Sequence, residues 1–198
     1  MENNKFVFRF AVAEDAKALS DIYAYYVRET PISFEYTPPT PQEFSERIKK
    51  ISTNYPYLVC EHNGKPVGYA YASEFKARIA YQWDAETSIY IDKEYHRMHI
   101  ASAFYRLLLK MLQMQGLYKA YALITVPNEA SESLHRKAGF ETIGIFRQTG
   151  FKLNEWRDVA FMEKNIADVQ AKPSAPFAIT DLDQSVLKQL LASENAFR

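Results

Sequence analysis

The stretch "ETSIYIDKEYHRMHIASAFYRLLLKMLQMQG", Glu86 to Gly116, decides the fold. Its opening, "ETSIYID", is rich in β-branched and aromatic residues and reads as a central strand. From Ile100 the apolar residues Ile100, Phe104, Leu107, Leu108, Met111, Leu112 and Met114 recur at three and four, with Arg106, Lys110, Gln113 and Gln115 outside, which predicts an amphipathic helix ending at Gly116. A strand that feeds a helix so quickly directs the helix's first free N–H groups and its positive dipole end at the strand's edge. Such a turn is a ready anion site, and Arg97 adds a full charge beside it. Yet the turn carries no glycine. His96, His99 and Ala101 stand where close main-chain approach and positive φ favour small residues.

Working outward, "FVFRFAV" (Phe6 to Val12) reads as a strand and "AEDAKALSDIYAYYVRET" switches to helical spacing, with Ala18, Leu19, Ile22, Tyr23, Tyr26 and Val27 on one face. Pro31, Pro38, Pro39 and Pro41 break the aromatic loop "PISFEYTPPT", after which "TPQEFSERIKKI" predicts a short helix with Thr40 as cap and Pro41 in its first turn. "YLVCEHNGKPVGYAYASEF" is two strand-like runs joined at Asn63-Gly64, a strong hairpin signal. "KAYALITV" adds a strand, "NEASESLHRKAGF" a helix ending at Gly139, and "ETIGIFRQTGFKLNEWRDVAFMEKNI" two last strands. The order βααβββαβαββ mixes hairpins with one β-α-β crossover, hence an α+β domain in three α/β/α layers. Residues 1–166 form this domain, the polar, Pro-containing stretch 167–178 is read as a linker, and 179–198 as a helical appendage. In the appendage Val186, Leu187, Leu190 and Leu191 make an apolar stripe that has to rest on the domain or on a second subunit.

Lys plus Arg balances Asp plus Glu at 24 each in 198 residues, so no global field draws the chain to nucleic acid or to an anionic membrane. No apolar run approaches the ~20 residues of a membrane span, and "MENNKFVFRF" lacks the form of a signal peptide. The single cysteine, Cys60, lies in an apolar run and reads as a small buried hydrophobe. A soluble, cytoplasmic protein is expected. His96 and His99, with His62 and His135 elsewhere, raise the question of a metal, but no cysteine or acidic cluster completes a ligand set, so none is expected.

Several medium-length strings in order, "SFEYTPPTPQEF", "YPYLV", "GYAYASEFKARIAYQWDAETSIYI", "VPNEASESLHRKAGF" and "GFKLNEWRDVAFMEKNI", resemble the GNAT N-acetyltransferase superfamily, and within it the phosphinothricin acetyltransferase-like branch. The resemblance runs from Phe6 to about Ile166. It implies a mixed sheet splayed at its centre, with the pantetheine arm of acetyl-CoA in the cleft and its pyrophosphate on the turn before the crossover helix. The superfamily's pattern there, Arg/Gln-x-x-Gly-x-Gly/Ala, falls on His96-Arg97-Met98-His99-Ile100-Ala101. Ala101 meets it, whereas His96 and His99 depart from it; Ser102 follows in the first helical turn.

Amine acetylation needs a neutral nitrogen, and free amines have pKa values of roughly 8 to 10, so a nearby base helps. The resemblance assigns that role to Glu86 and implicates His135 in proton handling, although taken alone the first more often reads as an exposed strand-end carboxylate and the second as a packed or surface helical histidine. It further implies that Asn128 contacts the pantetheine arm while capping its helix, with Ser131 and Ser133 as weaker contacts. Main-chain groups of Ser88, Ile89, Tyr90 and Ile91 are expected to pair with the pantetheine amides and polarise the thioester.

Lys76 and Arg78 put positive charge just before Glu86, and Phe34, Tyr36, Tyr81 and Trp83 could wall a pocket, a set suited to a small zwitterion. The family implies phosphinothricin, methionine sulfoximine or methionine sulfone as acceptor, and a homodimer, with Arg147, Lys152 and Trp156 at a dimer-linked edge. The competing reading is an acyl-CoA-binding or sensing module with a diverged loop and little turnover.

Overall fold

The computed structural model describes residues 5–196, so the start of the N-terminal stretch and the end of the expected appendage lie outside the described residues. Seven strands run in the order β1 (Phe6–Phe10), β2 (Tyr57–His62), β3 (Lys65–Glu74), β4 (Asp84–Ile91), β5 (Lys119–Val126), β7 (Glu155–Asn165), β6 (Glu141–Lys152). The β4–β5 pair is parallel and the rest are antiparallel, as hairpins on either side of one crossover require. The helices are α1 (Ala16–Glu29), α2 (Pro41–Ser52), α3 (Ile100–Gln115), α4 (Glu129–Lys137) and α5 (Gln184–Ala196), so the element order read from the sequence holds, with a further helix after it.

Local chemistry accounts for the element ends. Thr40 accepts from the Glu43 N–H while the Glu43 carboxylate takes the Thr40 N–H at 2.7 Å, a reciprocal cap on α2. Asn63 (φ 53°) and Gly64 (φ 75°) are both left-handed and turn β2 into β3 in two residues. Strand alternation then sorts the core into two layers. On β2, Leu58 and Cys60 point to α3, and Tyr57 and Val59 to α1 and α2.

Pairing between β4 and β5 is confined to Asp84↔Lys119, Ala85↔Ala120 and Glu86↔Tyr121. Beyond that point β4 continues to Ile91 and β5 to Val126 without a shared ladder, and the sheet opens between them. This is the splay expected from the resemblance.

The segment after β7 is laid along the domain. The Trp83 indole donates to Ser174 O at 2.8 Å, and the Gln115 amide donates to Asn54 O and Phe177 O at 2.7 and 2.8 Å. α5 sets Leu187 and Leu191 into the cluster that contains Phe8, Ile100 and Phe104, with Leu190 at its margin, whereas Val186 faces outward. Arg106 of α3 forks onto the Glu194 carboxylate (Nε–Oε2 3.0 Å), and Asn195 pairs with β1: Phe8 N–H donates to its Oδ1 at 2.7 Å and its Nδ2 donates to Phe8 O at 3.1 Å. Among the described residues no helix is long and apolar enough to cross a membrane, and no cluster of His, Cys, Asp or Glu is placed to hold a metal.

Candidate active site

A cavity of about 1040 Å³ fills the opening between β4 and β5 and runs from the α1–α2 loop to the N-terminus of α3. A volume of this order suits a large elongated ligand. Its walls include Glu86, Ser88 to Ile91, Arg97 to Ser102, Asn128, Ser131, Ser133 and His135, so the residues expected to serve cofactor and catalysis meet in one space.

At the α3 end, Arg97 (φ 64°) and His99 (φ 59°, ψ 11°) are both left-handed, and His99 is the residue that precedes the first helical turn. The main chain therefore takes the conformation for which glycine is preferred, with histidine in it. The first helical bond runs from Ala103 N–H to His99 O, which leaves the N–H groups of Ile100, Ala101 and Ser102 ahead of the intrahelical ladder. Ile100 itself is buried in the core, so only its main chain is available to a ligand. His96 also lines the cavity, and its ring is engaged by the protein: its Nε2 lies 3.0 Å from the Tyr26 hydroxyl and 3.1 Å from Ile91 O. The Tyr26 hydroxyl also donates to Ile91 O and accepts from Ile91 N–H, so both main-chain groups of Ile91 are engaged.

Glu86 sits at the last β4–β5 pair, where the ladder ends. Its side chain makes no hydrogen bond or ion pair among the described residues, and burial alone pushes its carboxyl above the usual range. His135 reaches the same cavity from α4, across the sheet. Alternation sends Glu86, Ser88 and Tyr90 to the α1–α2 side, where Tyr90 packs on Tyr23 and Tyr26. Thr87, in contrast, faces α3. Only the parting of the strands brings residues of both faces to one cleft. His135 Nδ1 lies 2.7 Å from Ser131 O and Nε2 2.6 Å from the Tyr105 hydroxyl; burial pushes its pKa down. Asn128 caps α4, its Oδ1 accepting from Ser131 N–H at 3.1 Å.

The end of the cavity beside the α1–α2 loop differs from the sequence reading of an acceptor pocket. Phe34 lines the cavity, its ring laid so closely on Gly150 that a Cβ there would stand 2.1 Å from it. Tyr36 lies outside the wall and is largely exposed, its hydroxyl donating to Phe151 O. Lys76, Arg78, Tyr81 and Trp83 are also absent from the wall. They occupy the β3–β4 connection, at the end of β4 where the ladder to β5 is closed, whereas the cavity opens along its other half. The Lys76 ammonium rests over the Phe75 and Tyr81 rings, 4.8 Å from each centroid, and Trp83 holds the C-terminal segment.

Glu35, not singled out from the sequence, and Lys152, expected only at a dimer-linked edge, complete this end. Glu35 lines the cavity and is held by Arg47 at 2.7 and 3.0 Å and by the Tyr23 hydroxyl at 3.0 Å. Burial pushes the Glu35 carboxyl up, but the Arg47 and Tyr23 hydrogen bonds outweigh it and leave the group below the usual range. Lys152, 3% exposed, donates to Ser33 O at 2.9 Å and to Glu35 O, clasping the α1–α2 loop to the β6–β7 hairpin. No composition or spacing signal marks a Glu in "ISFEY" as part of a site.

The model of the acetyltransferase (GNAT) domain matches residues 8–161. The phosphinothricin N-acetyltransferase of Streptomyces viridochromogenes is 34% identical over 174 residues, covering 88% of this chain and 94% of that protein. The phosphinothricin N-acetyltransferase of Streptomyces coelicolor is 37% identical over 160 residues, 79% of this chain and 94% of its own length. Among solved structures, a GNAT superfamily phosphinothricin acetyltransferase from Sinorhizobium meliloti in complex with AcCoA superposes with a TM-score of 0.83 at 35% identity, covering 87% of this chain and 95% of that one. On these matches and the splayed sheet, the chain belongs to the GNAT superfamily of acetyltransferases, in its phosphinothricin acetyltransferase-like branch.

Proposed function

We propose that the chain transfers the acetyl group of acetyl-CoA to the amine of a small amino-acid-like acceptor of the phosphinothricin, methionine sulfoximine or methionine sulfone type. The carrying observation is that a half-buried carboxylate without a hydrogen-bond or ion-pair partner among the described residues, Glu86, and a left-handed turn at a helix N-terminus open onto the same cavity. The N–H groups of Ile100, Ala101 and Ser102 and the Arg97 guanidinium receive the diphosphate. Strand β4 offers its cleft-side edge to the pantetheine amides. With Ile91 already held by Tyr26, that pairing falls to the residues before it.

In the transfer itself, Glu86 takes the proton from the acceptor amine as the nitrogen attacks the thioester carbonyl. A β4 N–H stabilises the oxyanion of the tetrahedral intermediate, and collapse breaks the C–S bond to release CoA thiolate. The raised Glu86 pKa makes it a stronger base than an ordinary carboxylate, which favours this direction of proton transfer. Two copies of the chain pairing along β6 and β7 would bring a second set of side chains to the acceptor end; the exposed Ile145, Phe146 and Trp156 support such a homodimer.

The test is thiol release from acetyl-CoA with a panel of amines including methionine sulfone, compared between wild type and Glu86→Gln. Release by the wild type that collapses in the variant supports the assignment. Tight acetyl-CoA binding with no release for any amine would favour a binding module instead.

A further inference from the structure

Beside the cleft lies a buried polar knot that joins three elements. Ser131 O can only accept, so the His135 nitrogen 2.7 Å from it, Nδ1, carries the proton. A neutral ring then presents a lone pair at Nε2, and the Tyr105 hydroxyl at 2.6 Å is its donor. Tyr105 comes from α3 and is 2% exposed; its hydroxyl lies 3.3 Å from Thr87 Oγ1 on β4, and Thr87 in turn donates to Tyr121 O on β5 at 3.1 Å. Each polar hydrogen of the knot has an acceptor, as a buried network demands.

We propose that Tyr105 is a positioning residue for acetyl transfer: its hydroxyl fixes His135 as the neutral Nδ1–H tautomer, with both ring nitrogens turned to the protein. The assignment rests on the reading of His135 as part of the reacting cleft. In this arrangement His135 does not compete with Glu86 for the amine's proton, and its charge state is insulated from the bulk. The groups packed around the ring support this. Thr87 and Phe140 do not ionise, Tyr105 stays protonated because burial drives its hydroxyl pKa up, and among the described residues no ion pair reaches the imidazole; Glu86 and Lys137, which also line the cavity, make no hydrogen bond to the ring. A donor to Nε2 stabilises the uncharged ring, so removing it raises the His135 pKa toward its ordinary value.

The experiment is a long-range proton–nitrogen correlation spectrum of the full chain labelled with ¹⁵N-histidine, His135 being assigned from the spectrum of His135→Gln. The wild type is expected to show Nδ1 protonated and Nε2 unprotonated through neutral pH. In Tyr105→Phe the Nε2 gains a proton or the two forms exchange. The kcat of that variant falls at least about 10-fold with the KM for acetyl-CoA within about 2-fold, and its acid limb moves to higher pH, a signature that lost packing alone does not produce. A wild-type His135 protonated at Nε2 overturns the proposal, as does a Tyr105→Phe enzyme with wild-type tautomer and pH profile. The wild-type spectrum decides the tautomer even where the variant does not fold. Absence of thiol release with every amine would count against the transferase reading alone.

Discussion

His99 offers a quantitative test of the turn before α3. A left-handed conformation costs an ordinary L-residue about 1–2 kcal/mol, whereas glycine adopts it freely but loses about 0.5–1 kcal/mol more in chain entropy on folding. Replacing His99 by Ala keeps the backbone cost and removes the imidazole; replacing it by Gly removes both. The difference between the two variants isolates the backbone, and with φ at 59° it is expected to favour His99→Gly by about 0.5–1 kcal/mol. For a chain of this length that separates their melting temperatures by roughly 1–4 °C, measurable by calorimetry or by urea titration. The same pair reports on the ligand. If main-chain N–H groups hold the diphosphate, both variants bind acetyl-CoA within about 3-fold of wild type by titration calorimetry. An alanine variant as stable as the glycine one would refute the left-handed turn. A loss beyond ~10-fold, about 1.4 kcal/mol, shared by both would move the contact from the main chain to the imidazole.

Glu86→Gln is expected to lower kcat by about 10²- to 10⁴-fold in the thiol-release assay. The same change stabilises the fold: a carboxyl whose folded pKa is raised binds more protons folded than unfolded, so stability falls as pH rises through that window, and Gln is spared the loss. Urea titrations at neutral pH and below pH ~4 should show the gain at the first and none at the second. His135 has the opposite sign. Its folded pKa is depressed, so its contribution is complete above the unfolded value of about 6.5 and is lost as pH falls from there toward the folded pKa. The His135→Gln chain should lack that part of the acid slope in a pH series of melting curves. Leu187→Ala, at a fully buried position of α5, is expected to cost about 2–5 kcal/mol within a single unfolding transition; a loss below ~1 kcal/mol would show that the helix is not part of the core.

Much of the architecture is legible because it is local chemistry. Asn63-Gly64 specifies its turn, Thr40 and Glu43 their cap, and the three-four spacing after Ile100 its helix. Glu86 and His135 are individually unremarkable in sequence; the resemblance picked them out, and the parting of β4 from β5 puts them in one cavity. What the sequence hid were facts of direction and conformation. Lys76 and Arg78 lie close to Glu86 along the chain, yet a strand has two ends and they stand at the closed one. The φ of His99 is invisible in its identity. Tyr105 stands outside the three-four stripe read from Ile100, yet its ring packs in the core and its hydroxyl is aimed at His135.

The pairing of Asn195 with Phe8 bears on how copies of this chain can meet. On β1 the main-chain groups of Ala11 face β2, so those of Phe8 face outward at the end of the sheet, and the Asn195 amide answers both of them in the manner of one further strand residue. At Phe8 that end is covered. The opposite end, β6, is 12 residues long and bears Ile143, Ile145 and Phe146 in the open. A sheet with two open ends can add copies without limit, the route to fibres. With one end stoppered, joining open end to open end consumes the adhesive surface of both partners and stops at two. For the homodimer proposed above, the C-terminal helix would then limit assembly, and a chain shortened before Asn195 should be recognised less by lost turnover than by scattering that grows with concentration.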